Sequence, residues 1–263
     1  MKLGLLTSNQ IRHKFLANAL NKNHDLSIII SEKKGNQNQF IGKNDFENKI
    51  LTEHFKSLEY EQKKYFGGQE WPRKVDIIKI DRGYINSKVV EDSLKERKVD
   101  GLAVFGPGIL KDNIFSICAG NVLNAHQGIS PYYRGSATNF WPFVNGQLSY
   151  VGVTMHYIDK GIDTGGIICH GFPKIEKGDN MHRIGCKVIK KTALLFEKIF
   201  NMIELGNRPH GIEQWTKGIL FLRKDFNAQA VLKARQNIAD GLVKDFLDRK
   251  DTEIPNIQSI QLI

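Results

Sequence analysis

The chain opens on a short apolar run, Leu3–Thr7, followed by the polar Ser8-Asn9-Gln10 and then by Ile11, Phe15, Leu16 and Leu20 at helical spacing. That pattern predicts a strand, a polar turn and an amphipathic helix. Leu26–Ile30, Val75–Ile80 and Gly101–Phe105 read as three further buried strands, with a helix over Lys88–Lys98 before the last of them. Lys33–Asn44 is polar and rich in Gly, Asn and Gln, which predicts a loop, and Phe46–Phe66 reads as a helix. Val122–His126 is strand-like and runs into the turn-rich segment Gln127–Gly135. A short helix over Thr138–Val144 carries Phe140 and Trp141, for which core packing is expected. Tyr150–Ile158 and Gly166–Gly171 look like two strands around a Gly/Asp loop, and Asp179–Leu205 is a long helical pattern. Strands alternating with helices predict an α/β fold with a mostly parallel, doubly wound sheet and helices on both faces. The expected organisation is one domain over residues 1–205 and a small C-terminal extension over residues 206–263, ending in a polar tail after Pro255.

With 263 residues and 41% hydrophobic side chains the chain can bury a core, which argues against a disordered protein. Its 38 Lys and Arg exceed its 28 Asp and Glu by 10. These cations are spread along the sequence and not massed in one stretch, so a solvated basic surface is the first reading and an anionic small ligand the second. Nucleic acid ranks well behind, because no zinc-finger spacing or basic aromatic helix is present. The three cysteines, Cys118, Cys169 and Cys186, are odd in number and far apart, which excludes a disulfide framework and suits a reducing cytoplasm. No apolar run is long enough to span a bilayer and the N-terminus does not resemble a cleavable signal, so a cytoplasmic location is expected.

The first strand–helix junction lacks the G-x-G-x-x-G dinucleotide fingerprint, although its helix N-terminus could still hold a phosphate. Arg12 and His13 fall in the first turn of that helix and read as solvated surface. Asn124 and His126 carry more weight. Two residues apart on a strand, they share a face at the strand's carboxyl end, where open α/β sheets bind ligands. Two hydrogen-bonding groups on a buried strand need partners or a ligand. The loop Ile158–Gly166 supplies Asp159 and Asp163, either of which could orient an imidazole or form a turn, and spacing does not choose between them. His126, His156, Asp163, Cys169 and His170 are metal-ligand types but show none of the usual close ligand pairs, so no metal is expected.

Asn124-Ala125-His126-Gln127-Gly128-Ile129-Ser130-Pro131-Tyr132-Tyr133-Arg134-Gly135, together with Asn145-Gly146, Val151–His156 and Asp159–Ile167, resembles the signature of the folate-dependent formyltransferases. The resemblance is strong from about Gly101 to Pro173. It implies a Rossmann-like core, 10-formyltetrahydrofolate as co-substrate, no metal, and Asn124, His126 and Asp163 as the catalytic set. It assigns the folate to Phe105, Gly106, Pro107, Gly108, Ile109 and Leu110 and to the loop of Ile158, Asp159, Lys160, Gly161 and Ile162. Contacts to the acceptor are implied for Asn9, Arg12, His13, Gln127, Gly128, Ser130 and Arg134.

The implied chemistry is direct formyl transfer to an amine, with Asn124 and His126 stabilising the developing oxyanion and Asp163 sharing the proton exchange. Among acceptors, a tRNA substrate would call for a further domain larger than residues 206–263. Glycinamide ribonucleotide formyltransferases usually carry Gly-Ser-Gly where this chain has Thr7-Ser8-Asn9-Gln10. The Ser130–Gly135 turn resembles that of the nucleotide-sugar N-formyltransferases, which implies a nucleotide-linked amino sugar, a 4-amino-4,6-dideoxyhexose of surface-polysaccharide synthesis. Nucleic acid and membrane are not expected as partners, and a homodimer is left open. A glycinamide ribonucleotide formyltransferase and a 10-formyltetrahydrofolate hydrolase remain the alternatives.

Overall fold

Leu3 and Leu5 turn to one face of the first strand and Leu6 to the other, and all three are fully buried. A strand buried on both faces needs a layer on each side, and this alternation sets the architecture. The computed structural model describes residues 1–34, 41–118 and 120–249. Its central sheet has seven strands, β1 (Lys2–Ser8), β2 (Asp25–Glu32), β3 (Asp76–Ile80), β4 (Gly101–Phe105), β5 (Val122–Gln127), β7 (Val153–Tyr157) and β8 (Ile167–Gly171), in the order β3-β2-β1-β4-β5-β7-β8. The pairs from β3 across to β5 are parallel, whereas β5 with β7 and β7 with β8 are antiparallel. Chain length accounts for the last of these pairs. Parallel neighbours need a crossover of a dozen or more residues, but β7 and β8 are joined by a short loop.

One face of the sheet carries α1 (Ile11–Asn23) and α6 (Met181–Glu204), whose Leu16, Leu20, Phe196 and Phe200 pack with Leu3, Leu5, Ala103, Leu123 and Ala125. The other face carries α3 (Lys88–Glu96) and the short α4 (Asp112–Phe115), with Val90, Leu94 and Ile114 against Leu6, Ile28, Ile30 and Val104. The long α2 (Asp45–Phe66), α5 (Trp141–Val144) and α7 (Ala228–Ala239) join round Ile50, Leu51, Trp141, Phe226 and Val231 in a third cluster. Past Gly206 the chain folds back. Strand β9 (Ile219–Phe221) pairs in parallel with β6 (Tyr133–Gly135) in a separate two-stranded sheet, and α8 (Leu242–Asp248) follows α7.

The expected elements recur with shifted ends. The helix expected over Lys88–Lys98 stops at Glu96, and the strand expected from Tyr150 begins at Val153 after a single tight turn over Leu148–Tyr150. The short helix expected from Thr138 begins at Trp141. Half of the loop expected over Lys33–Asn44 and all of the tail after Pro255 lie outside the described residues. Among the described residues no helix is long and apolar enough to cross a membrane.

Candidate active site

Strand β5 alternates Val122, Asn124 and His126 on one face with Leu123 and Ala125 on the other. Val122 is still covered by the α3–α4 layer. Asn124 and His126 emerge further along, towards the carboxyl end of the strand. The antiparallel register sets His156 directly opposite Asn124 and Thr154 opposite His126, and opposed residues in such a pair share a face. The loop between β7 and β8 then returns Asp163 over this face. Asp163 has a left-handed backbone, φ +51°, which Asp tolerates better than most side chains and which aims its carboxylate back at the strand.

Three donors converge on that carboxylate. His126 Nδ1 lies 3.2 Å from Oδ2, the Gly135 amide donates to Oδ2 at 3.2 Å, and Asn124 Nδ2 donates to Oδ1 at 3.4 Å. The other edge of His126 faces a carbonyl: Nε2 stands 2.8 Å from Tyr133 O, so it must carry a hydrogen. With both ring nitrogens facing acceptors, His126 is arranged as an imidazolium. Burial alone would lower its pKa, but the Asp163 charge and hydrogen bond outweigh burial and raise it. Asp163 shows the mirror image. Burial pushes its carboxyl up, and the His126 charge and hydrogen bond, helped by His156, whose Nε2 lies 3.7 Å from Oδ1, win and hold it well below the usual carboxylate range.

His156 plays a different part. Its Nδ1 lies 2.7 Å from Tyr157 O and so donates, which leaves Nε2 to accept from Asn124 Nδ2 at 2.9 Å. Asn124 is thereby fixed with one amide hydrogen spent on His156 and the other on a long bond to Asp163. The long bond is the weaker one, and it is the one a ligand oxygen can take over.

These residues form the floor of a cavity of about 750 Å³. On one side run Phe105–Leu110 and the loop 158–162, all on the wall except Lys160. Gly106 has φ +74° and no room for a bulky side chain, since an added Cβ would sit 3.2 Å from His13 Nε2. Glu32 anchors this segment, taking the Gly108 amide at 2.6 Å and the Gly83 amide at 2.8 Å. Ile109 and Ile162 remain 66% and 44% exposed, an apolar slot the core does not need. Cations stand against this segment. Arg12 donates to Gln62 Oε1 at 3.4 Å, and its pKa is lowered by burial to about 10. Lys34 is exposed along much of its length, yet its Nζ reaches Gly106 O at 3.3 Å; desolvation first, and Arg12 next, lower it to about 8. Arg223 is also on the wall.

Several expectations need correction. His13 is not solvated surface. It is 1% exposed, accepts the Gln10 amide on Nδ1 at 3.1 Å, and is held well below its ordinary pKa by burial and then by the Arg12 and Lys34 charges. Arg12, His13 and Gln127 line the cavity, whereas Asn9, Gly128, Ser130 and Arg134 are off its wall. Ser130 is fully buried with its amide on Thr154 Oγ1, Gly128 packs against Thr138, and Arg134 spends its guanidinium on the carbonyls of Lys217 and Ile162. Asn9 instead accepts the Lys34 amide. Asp159 keeps its carboxylate inside its own loop, on Gly161 N and Thr164 Oγ1, and Lys160 pairs with Asp112 at 3.1 Å, off the wall. Missed from the sequence were His156, Lys34 and Gln214, whose Nε2 holds Asp163 O at 2.7 Å. Only His156 left a signal, a Thr-x-His that pairs with Asn-x-His once the antiparallel register is known. Among the described residues no three His, Cys, Asp or Glu are grouped to hold a metal.

Residues 19–197 match the family model described as formyl transferase. A methionyl-tRNA formyltransferase of Desulforamulus reducens is 31% identical over 120 residues, 45% of this chain and 38% of that protein. The chain therefore matches well under half the length of that relative. Among solved structures, a formyltransferase from Anoxybacillus kamchatkensis in complex with UDP-4,6-dideoxy-4-formamido-L-AltNAc and tetrahydrofolate is 20% identical, covers 88% of this chain and 97% of its own, and superposes with a TM-score of 0.53. A phosphoribosylglycinamide formyltransferase from Anaplasma phagocytophilum is 16% identical, covers 84% and 96%, and gives a TM-score of 0.56. At these identities the two structures share the fold.

Proposed function

This chain belongs to the formyl transferase family, and from that membership we propose that it moves the formyl group of 10-formyltetrahydrofolate to the amine of a nucleotide-linked amino sugar. The observation that carries the reading is the Asn124–His126–Asp163 cluster on the floor of a cavity whose wall holds both exposed apolar side chains, Ile109 and Ile162, and the cations Arg12, Lys34 and Arg223. The slot between Ile109 and Ile162 suits a flat pterin, and Arg12 with Lys34 suits a phosphate-bearing acceptor. The Ser130–Gly135 turn, and the nucleotide-sugar complex of the Anoxybacillus relative, favour an amino sugar over the other acceptors, with a 4-amino-4,6-dideoxyhexose as first candidate. Residues 1–205 are read as the catalytic domain, and residues 206–263 as an extension that braces it through β9 and Gln214.

The folate supplies an activated one-carbon group; the chain supplies orientation and charge. Asn124 Nδ2, fixed by His156, redirects its long hydrogen bond from Asp163 to the formyl oxygen. The His126 imidazolium adds positive charge beside the same oxygen as negative charge gathers there, and one such donor is worth roughly 10²–10³ in rate. Asp163, kept ionised, orients the water that takes the proton the attacking amine loses as the new C–N bond forms. That proton passes by way of water to the folate nitrogen whose C–N bond breaks. Atoms and charge balance with no covalent enzyme intermediate.

The test is an acceptor screen with the full chain and 10-formyltetrahydrofolate, reading tetrahydrofolate release. Turnover with nucleotide-linked 3- or 4-amino sugars is the expected result. Turnover confined to glycinamide ribonucleotide or methionyl-tRNA overturns the acceptor assignment, and release with no acceptor present makes the protein a hydrolase.

A further inference from the structure

The cavity extends beyond the catalytic floor and its cations into an annex between α2 and α6. His54 and Gln62 lie eight residues apart on α2 and line it, so the wall runs about 12 Å at 1.5 Å per residue. The far end of this wall is His54, and the near end is Gln62, which receives Arg12. His182 and Gly185 on α6 form the opposite wall.

Three features of the annex bear on what it could hold. First, His54 is only 5% exposed, its Nδ1 is sealed without a hydrogen-bond partner, and among the described residues its ring makes no hydrogen bond. A buried polar group left unmatched calls for a reason. Burial, then His182, lowers its pKa to about 3, so it is a neutral ring, and Nε2, the nitrogen that is not sealed, is the one left to meet a ligand. Second, His54 is held among aromatic rings. Phe55, Phe140 and His182 stand edge-on at centroid distances of 5.3, 5.6 and 4.7 Å, and Phe226 is tilted at 5.5 Å. Third, Gly185 sits inside a 24-residue helix, where glycine is less favourable than alanine. A Cβ there would meet nothing within 4 Å, so the gap is in the cavity and not in the packing.

We propose that this annex is the recognition subsite for the aromatic base of the acceptor, with His54 as the polar group that reads the base edge and Gly185 as the gap that admits the ring. The inference rests on the nucleotide-linked acceptor proposed above. It extends that reading from the reacting end of the substrate to the group that selects it. A flat heterocycle lies against the cavity side of this ring cluster, over Gly185, and meets His54 Nε2, while Arg12 and Lys34 hold the diphosphate nearer the catalytic floor. Neither inorganic pyrophosphate nor a base-free ribotide can use the annex.

The experiment is calorimetric titration of the full chain with UDP, dTDP, ADP and inorganic pyrophosphate. At least one nucleoside diphosphate is expected to bind about tenfold or more tightly than pyrophosphate, the scale of base stacking on aromatic rings. His54→Ala and Gly185→Leu are each expected to erase that advantage while pyrophosphate and tetrahydrofolate bind as before. Gly185→Ala guards against misfolding: it is expected to raise the melting temperature, through helix propensity, and still to weaken nucleotide binding. Nucleotide affinity unchanged in both His54→Ala and Gly185→Leu overturns the annex and leaves the acceptor assignment standing. Equal affinity of the wild-type chain for pyrophosphate and every nucleotide has the same meaning. Failure of every nucleotide to bind, with turnover of glycinamide ribonucleotide, removes the acceptor assignment and the annex together.

Discussion

Replacing Asp163 with Asn tests whether the carboxylate works by setting the charge of His126. His126 Nδ1 and Asp163 Oδ2 are 3.2 Å apart. Two unit charges at that distance attract by about 5 kcal/mol at an effective dielectric of about 20. Against this stands the desolvation of a ring that is only 6% exposed. The balance leaves the His126 pKa above its ordinary value, so attraction wins by a modest margin. The Asp163→Asn change keeps the shape and removes the charge. Desolvation and the Arg134 charge are then opposed only by the Tyr133 carbonyl, so the His126 pKa falls and the ring gives up its charge at lower pH than in the wild type. The expected loss is at least that of one oxyanion donor, roughly 10²–10³ in kcat, with folate affinity little changed. The assay pairs steady-state turnover between about pH 5 and 9 with an NMR titration of the His126 ring. In the wild type, activity should decline as pH rises through the raised His126 value. In Asp163→Asn the ring should titrate lower, and part of the lost activity should return as pH falls. If the ring in the variant titrates at or above its wild-type value, the electrostatic account of the site is wrong.

Three further outcomes follow from the same geometry. His156→Phe strips Asn124 Nδ2 of its 2.9 Å acceptor and should cost about 1–3 kcal/mol of transition-state stabilisation, a fall of roughly tenfold to a hundredfold in kcat, with His156→Gln recovering part of it; an unchanged kcat in His156→Phe would show that Asn124 needs no such anchor. Glu32→Ala frees the Gly108 and Gly83 amides, so tetrahydrofolate should bind more weakly and the Gly108 amide exchange faster, while equal folate affinity would detach that loop from the co-substrate. His54, His170 and His182 have pKa values lowered by burial to about 3, 4 and 4. The unfolded chain takes up these protons below pH 6.5 and the folded chain does not. Each therefore costs about 2 kcal/mol of stability between pH 6.5 and 5, about 6 kcal/mol together. His126, with its raised value, acts in the opposite sense: its contribution is complete below pH 6.5 and is lost as pH rises through the folded value. Urea unfolding at about pH 7 and pH 5 measures the difference, and equal midpoints would rule out three neutral buried rings.

The strands and helices of the sheet were legible because burial on two faces leaves a run such as Leu3–Leu6 few other options, and because Leu16 and Leu20 recur at a period that only a helix satisfies. Asn124 and His126 were legible for a related reason, since two polar residues at one parity on an apolar strand stand out. Asp163 stood beside Asp159 as an equal candidate from spacing alone. What separates them is the left-handed backbone at Asp163, which turns one carboxylate to the sheet, while Asp159 closes its own turn. His156 was one of several scattered metal-ligand types until the β5–β7 register set it against Asn124. His13 looked like helix surface because nothing local reveals that Phe105 and Lys34, from distant parts of the chain, close over it. Ser130 looked available to substrate, yet packing seals it. Periodicity along the chain decides which face of an element is apolar. Which polar groups meet across that face is decided by register and by crossovers far apart in sequence, and those exist only once the chain has folded.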